Sequence, residues 1–506
     1  MLSILLGLRR TLLVSLAVGL LTVALMPLAE SLDLVEFDSI TLAVMMQKDP
    51  TGESVLEARL WEVGPVTLTR LGAKIGLEPL AVARGLSILA SLVSLFLLQR
   101  LARRHLGPLA SWLAPAVLVC TYAFWTLGLS GDNDPLPSCA LLGGALLLDS
   151  CLSSLTSSRL WRALAAGALF GVAGVLHFSY LTLAAAGVLP LIAGWRRARL
   201  DGLRMCLSFG AGLIAMVLPA ILLVAMSPST AKFFDNLLAP GESIFDSLTA
   251  TSSIEGDLPD RLTNLAAGGF YAFWPSSSEP GAENPWIPYG TPPPRPETLQ
   301  IVLGLTMLAI ATWMTFTALR RRGWLLAVPV AIVGLRVVSL IGLQGWNPER
   351  WLALLPFLAL FAAILLAEKE QRARRAFLGA LVLLPVAVSA RAMVSVDPAT
   401  SIQAEASSVR SRADRSGERT VLVLSAKTAD DQRLAYELHG QLPVVLVDDR
   451  SRPALLTALG GRFSVLASES AWRELAGPGL IAEPRTIGAM PLRELRAQPA
   501  DDLGVR

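Results

Sequence analysis

"LAVARGLSILASLVSLFLLQRL", residues 80–101, decides the fold. At about 1.5 Å per residue, a helix over this run rises roughly 33 Å, enough to cross about 30 Å of hydrocarbon. A soluble core helix has no need of so long an apolar stretch, so the run reads as a membrane span.

Working outward, similar runs recur at 11–30, 111–130, 136–153, 161–176, 179–195, 205–226, 299–319, 324–343, 351–367 and 376–394. The chain has 506 residues, 53% hydrophobic and 16% charged. Its mean hydropathy is +0.56. Soluble domains average about 25% charged residues. The short alternating segments of a β-barrel are absent. The expected fold is therefore an α-helical polytopic membrane protein of about eleven spans. The first span admits a second reading, a cleaved signal peptide, because Arg9 and Arg10 precede it.

Arginine placement sets the expected orientation. Arg9 and Arg10, Arg103 and Arg104, Arg159 and Arg162, Arg196 to Arg204, Arg320 to Arg322, and Lys369 to Arg375 share one side. The opposing turns "SGDNDP" and "LHFSY" carry no Lys or Arg, and "QGWNPER" carries Arg350 alone. The amino terminus is thus expected in the cytoplasm, with loops 31–79 and 227–298 and the carboxyl-terminal tail outside. A net charge of +3 gives no basis for a nucleic-acid partner. The four cysteines (Cys120, Cys139, Cys151 and Cys206) lie in or beside apolar spans and show no CxxC spacing. They read as small core residues. The three histidines are scattered, with no metal-ligand spacing.

Composition changes after about residue 395. "RTVLVLSA", "LPVVLVDD" and "FSVLAS" are short β-branched runs separated by helical stretches. That pattern predicts a small α/β domain over 396–506, beside a membrane domain over 1–395. Asp448 and Asp449 end the second run, where solvated strand-end acids and a ligand site are both readable.

Unusual polar groups collect on the outer side. Glu36 and Asp38 sit in "LVEFDSITLA" after the first span, and Asp132 and Asp134 in "SGDNDPLPS". His177 lies between the fifth and sixth spans, Arg336 within the ninth, and Arg350 at the start of the tenth. Ionisable residues at membrane depth default to a functional reading; ordinary interfacial loops are the bland one. A carboxylate can take a proton from a hydroxyl, and an arginine can hold a phosphate through parallel hydrogen bonds. Together they suit attack of a hydroxyl on a carbon whose leaving group is a phosphate. The aromatic stretch "GGFYAFWPSSSEPGAENPWIPYGTPPPRPE" in loop 227–298 reads as interfacial anchors or as a lid.

These motifs, in this order relative to the spans, resemble the C-type polytopic glycosyltransferases. The likeness is to the protein O-mannosyltransferase and aminoarabinose-transferase branch, over residues 10–395. Asp38 stands where that family has its catalytic base, and "SGDNDPLPS" where it has a second acidic station. "LWEVGPVTLTRLGAKIG" resembles its interfacial helix, and "NPERWLALLPFLALFAAILL" its arginine-aromatic segment. The resemblance implies a bacterial inner-membrane enzyme that moves a sugar from a polyprenyl phosphate to a hydroxyl of a glycan, lipid or protein. Asp38 would be the base, with Glu36, Asp132, Asp134, His177, Arg336 and Arg350 binding substrate. Some members use a divalent cation. Here no ligand cluster beyond Asp38, Asp132 and Asp134 is visible, and none is assigned. A transporter or flippase and a non-catalytic scaffold are the alternatives.

Overall fold

A computed structural model describes residues 17–26, 43–44, 63–153, 159–195, 199–225, 258–273, 298–322, 326–342 and 348–367. In the carboxyl-terminal part it describes 406–411, 420–425, 431, 434–435, 437–438, 444–447, 464–475, 480–487 and 490–497.

The helices run α1 (Ala17–Met26), α2 (Val63–Lys74), α3 (Pro79–His105), α4 (Leu113–Val119), α5 (Tyr122–Ser130), α6 (Pro135–Ser153), α7 (Arg159–Leu176), α8 (Ala184–Trp195), α9 (Arg199–Ala225), α10 (Leu258–Phe273), α11 (Thr298–Arg322), α12 (Ala327–Gly342) and α13 (Leu355–Leu366). Every apolar run from 80 to 367 thus contains helix. Five helices among the described residues are long and apolar enough to cross a membrane. The count reaches six if the bent pair 110–119 and 123–129, which turns by 68°, is one span. Several remaining expected spans appear as shorter apolar helices. The expected span 376–394 lies outside the described residues, as does half of 11–30.

Helix α3 shows how the sequence sets its own ends. Pro79 opens it from an extended Glu78, a position where a missing N–H costs nothing. Arg103, Arg104 and His105 fill the last turn, where positive charge meets the negative end of the helix dipole. Neighbouring helices then pack through small residues. A Cβ at Gly167 would come 1.9 Å from the Phe209 carbonyl oxygen, and one at Gly212 would come 2.0 Å from that of Leu164. Glycine on both helices therefore lets α7 and α9 touch backbone to backbone, which helps membrane helices associate where no hydrophobic drive separates them from lipid. Every residue from Leu355 to Leu365 of α13 is buried, as expected for a helix apolar on all sides. Outward-facing side chains on α9 and α11, such as Ile221, Leu303 and Phe316, are exposed and apolar, fit to meet acyl chains.

The carboxyl-terminal part contains strands β1 (Thr420–Ser425), β2 (Val444–Val447), β3 (Ser464–Ser468), β4 (Leu480–Ile487) and β5 (Met490–Ala497), with a short helix α14 (Glu469–Leu475). They form one sheet in the order β2-β1-β3-β5-β4. β2, β1 and β3 are parallel, while β5 and β4 add an antiparallel hairpin that the three β-branched runs did not announce. Along β1 the side chains alternate. Leu422 and Leu424 pack with Leu434 and Leu438 in one core, and Val423 packs with Ala471 and Leu475 in another. Asp431 ties the strand ends together, accepting from the Ser425 N–H at 2.7 Å and from the Ser468 hydroxyl. Asp448 and Asp449 lie outside the described residues. Leu446 of β2 packs against Ala43, Val44 and Leu80, so the sheet touches the membrane part where α3 begins.

Candidate functional site

That same end of the bundle gathers the polar groups, and local sequence explains how. In "SGDNDP", Gly131 ends α5 with φ +89°, a left-handed conformation that suits glycine. A Cβ there would lie 3.1 Å from Cγ of Arg84 and 3.3 Å from its backbone nitrogen. Asp132 then accepts the Asp134 N–H through Oδ1 at 2.7 Å, a turn that aspartate favours. The Asp134 carbonyl accepts from Ser138 N–H at 3.2 Å, and Pro135 begins α6. The backbone of Asp134 therefore starts the helix while its side chain is turned inward.

That side chain faces Arg350. Arg350 sits in the 3-10 turn Pro348–Trp351, and its Nη1 lies 3.4 Å from Asp134 Oδ2. The same nitrogen is 2.7 Å from His177 Nε2. His177 caps the 3-10 turn Phe178–Leu183 that follows α7. Arginine can only donate, so Nε2 accepts and the imidazole proton resides on Nδ1. There it donates to Ser179 Oγ at 2.9 Å. The Ser179 N–H, 3.3 Å from Nδ1, is then a contact rather than a hydrogen bond. Burial, then the guanidiniums of Arg350 and Arg336, hold the His177 imidazole well below the ordinary histidine range. Its neutral form is the one that this geometry requires.

Arg336, on α12, is 1% exposed. Its Nε donates to the Arg350 carbonyl at 3.0 Å, and its guanidinium stands 5.0 Å from the Tyr180 ring centre. Its Nη2 is buried and finds no hydrogen-bond partner among the described residues. Tyr180 in turn shares a 2.9 Å hydrogen bond with Ser138. A buried N–H carries a desolvation cost until an acceptor meets it.

Beside Arg350, Trp351 begins an apolar groove with about 760 Å³ of empty space, its open mouth included. Val117, Thr121, Met307, Met314, Ala359 and Ala362 are among its walls. Gly269 makes room at the top, since a Cβ there would come 3.0 Å from the Trp351 ring. From Leu355 to Ala362 the groove follows α13 for roughly 10 Å at about 1.5 Å per residue.

The structure therefore brings Asp132, Asp134, His177, Arg336 and Arg350 to one place. Asp38 and Glu36 lie outside the described residues. Among the described residues no group of three or more His, Cys, Asp or Glu could hold a metal ion. Tyr180, Ser138, Ser179 and Arg84 were missed by the sequence reading. Arg84 carried a signal, a buried arginine inside an apolar span, whereas Tyr180 and the two serines carried none.

No family model matches the chain, and no curated protein does. Solved structures do. The chain is similar to ArnT from Cupriavidus metallidurans bound to undecaprenyl phosphate, at 15% identity and a TM-score of 0.59. The match covers 95% of this chain and 99% of that one. The apo state of the same protein matches at 13% identity and a TM-score of 0.57, over 95% and 98%. The chain has the fold of the C-type membrane glycosyltransferases.

Proposed function

We propose that this chain is a membrane glycosyltransferase that takes a sugar from a polyprenyl phosphate and gives it to an acceptor hydroxyl on the extracytoplasmic face of a bacterial inner membrane. One observation carries the reading: two arginines, Arg350 and Arg336, gather with Asp134 and His177 next to Trp351, a residue that lines an apolar groove. A polyprenyl phosphate needs that pairing, a greasy channel for the tail and cations for the head. The buried Nη2 of Arg336 is an N–H that a phosphate oxygen would satisfy. The likeness in fold to a protein crystallised with undecaprenyl phosphate supports the same substrate class.

The step is a single displacement with inversion. The acceptor oxygen attacks the anomeric carbon, and the bond from that carbon to the phosphate oxygen breaks. Asp38 takes the hydroxyl proton, and the polyprenyl phosphate departs with the bonding electrons. Arg350 and Arg336 hold the negative charge that grows on it; a preorganised donor aimed at such charge is worth about 3 kcal/mol. Asp134 and Asp132 orient the sugar or the acceptor. Aspartate 38 enters from the sequence motif alone. The carboxyl-terminal sheet, as an outer α/β domain, would sit over the first outer loop through Leu446.

The 68° break between 110–119 and 123–129, which places Thr121 on the groove wall, favours a second reading as a flippase. Purified protein in nanodiscs, supplied with polyprenyl-phosphate sugars and an envelope extract, tests the first. Sugar transfer that disappears in Asp38→Asn supports it. Transbilayer movement of the lipid without sugar transfer would replace it with the second.

A further inference from the structure

His177 is well placed to touch substrate, yet both its ring nitrogens are committed to the protein: Nε2 to Arg350 and Nδ1 to Ser179. Its ring also stands edge-on to Tyr180, with centroids 5.9 Å apart, and it is 7% exposed. A neutral imidazole beside two guanidiniums is an unusual choice. It adds no countercharge, and a carboxylate would have made the stronger ion pair. What it supplies is one acceptor atom in a fixed plane. Ser179 and the Tyr180 ring together prevent that plane from rotating.

We propose that His177 is a positioning residue for the anion clamp, in which the neutral imidazole fixes the direction of the Arg350 guanidinium without neutralising it. The inference rests on Arg350 holding the phosphate of the lipid carrier. A second carboxylate in the place of His177 would compete with that phosphate for the guanidinium; an imidazole orients it and adds no negative charge to that of Asp134, which lies 3.4 Å from the same nitrogen.

The experiment measures equilibrium binding of radiolabelled undecaprenyl phosphate to the full chain in nanodiscs. His177→Gln keeps a neutral acceptor where Nε2 lies, and His177→Phe keeps the ring and removes the acceptor. His177→Leu repeats that removal, should the Phe variant fail to fold. A hydrogen bond to a charged group is worth on the order of tenfold or more. The Gln variant should bind within about threefold of the wild type, and the Phe and Leu variants about tenfold more weakly. In an Arg350→Met background the difference between Gln and Phe should vanish, which a packing role would not produce. Equal affinities for the Gln and Phe variants, whether both high or both low, overturn the proposal, as does a difference that survives in Arg350→Met. Absence of phosphate-dependent binding by the wild type would instead overturn the functional reading beneath it.

Discussion

Two groups of charges stand at opposite ends of the bundle, and they are built differently. At the end away from the candidate site, Arg104 of α3 donates to Asp149 of α6 at 3.1 Å, and His105 Nε2 lies 3.6 Å from the same carboxylate. There one acid meets two basic side chains contributed by consecutive residues of one helix. The contact pins α3 to α6 and ends there. At the other end, Arg350, Arg336, Asp134, His177 and Tyr180 come from four separate segments, and the groove starts at the adjacent Trp351. Two arginines face Asp134, with Asp132 beside it, and the Arg336 Nη2 is unmet among the described residues. The Arg104–Asp149 contact joins two neighbouring helices. A site for an anion holds positive charge ready for a partner that the chain does not contain.

Removing one cation from each end should break the comparison most sharply. Arg350→Met is expected to lower sugar transfer by a factor on the order of 100 or more, the usual consequence of losing a donor to developing charge. Arg104→Met should leave transfer within about twofold, because it touches neither groove nor cluster. Steady-state rates with a polyprenyl-phosphate sugar decide this, and equal losses would erase the distinction.

Stability should respond at both ends. Asp149→Asn is expected to cost about 1 kcal/mol, since Arg104 is partly exposed and its pairing is screened. Gly131→Ala should cost more, about 2 kcal/mol, because it forces a side chain into a positive φ and against Arg84. It should also lower transfer by displacing Asp134. Thermal unfolding in detergent, read beside activity, separates the two: loss of activity with Asp149→Asn at an unchanged midpoint would contradict the account.

The smallest expected effect concerns pH. His177 has its imidazole pKa lowered on folding, so the unfolded chain binds its proton first as pH falls. Its contribution is fully present above the ordinary histidine value of about 6.5 and shrinks as pH drops below it. Unfolding midpoints of the wild type should therefore fall more steeply on acidification than those of His177→Gln. Parallel curves would contradict the assignment of a neutral ring.

Much of this was legible in the sequence, and the reason is periodicity. Runs such as 80–101 and 136–153 are long and apolar, so hydropathy alone places their helices. The polar turns between them, "SGDNDP" and "LHFSY", mark one end of the bundle, and Asp134, His177, Arg336 and Arg350 all meet there. What the sequence did not reveal is which atoms pair. Arg336 lies inside a span, and only the folded turn at Pro348–Trp351 brings its Nε to the Arg350 carbonyl. Tyr180 and Ser138 are unremarkable in composition and become partners only because the ends of α6 and α7 adjoin. The antiparallel hairpin of β4 and β5 escaped notice because "LIAEPRTI" and "MPLRELRA" mix charge and proline into strands and lack a β-branched run. The break near Thr121 leaves no mark in the sequence, because the residues on both sides are equally apolar.

The central claim is that Arg350, next to the groove residue Trp351, holds the phosphate of a polyprenyl carrier. Its most direct test compares binding of undecaprenyl phosphate with that of undecaprenol, the same tail without the phosphate, to the wild type and to the Arg350→Met and Arg104→Met chains in nanodiscs. We expect the wild type and Arg104→Met to prefer the phosphate form by about tenfold or more, and Arg350→Met to lose that preference while still binding the tail. An undiminished preference in Arg350→Met, or no preference in the wild type, would contradict the account.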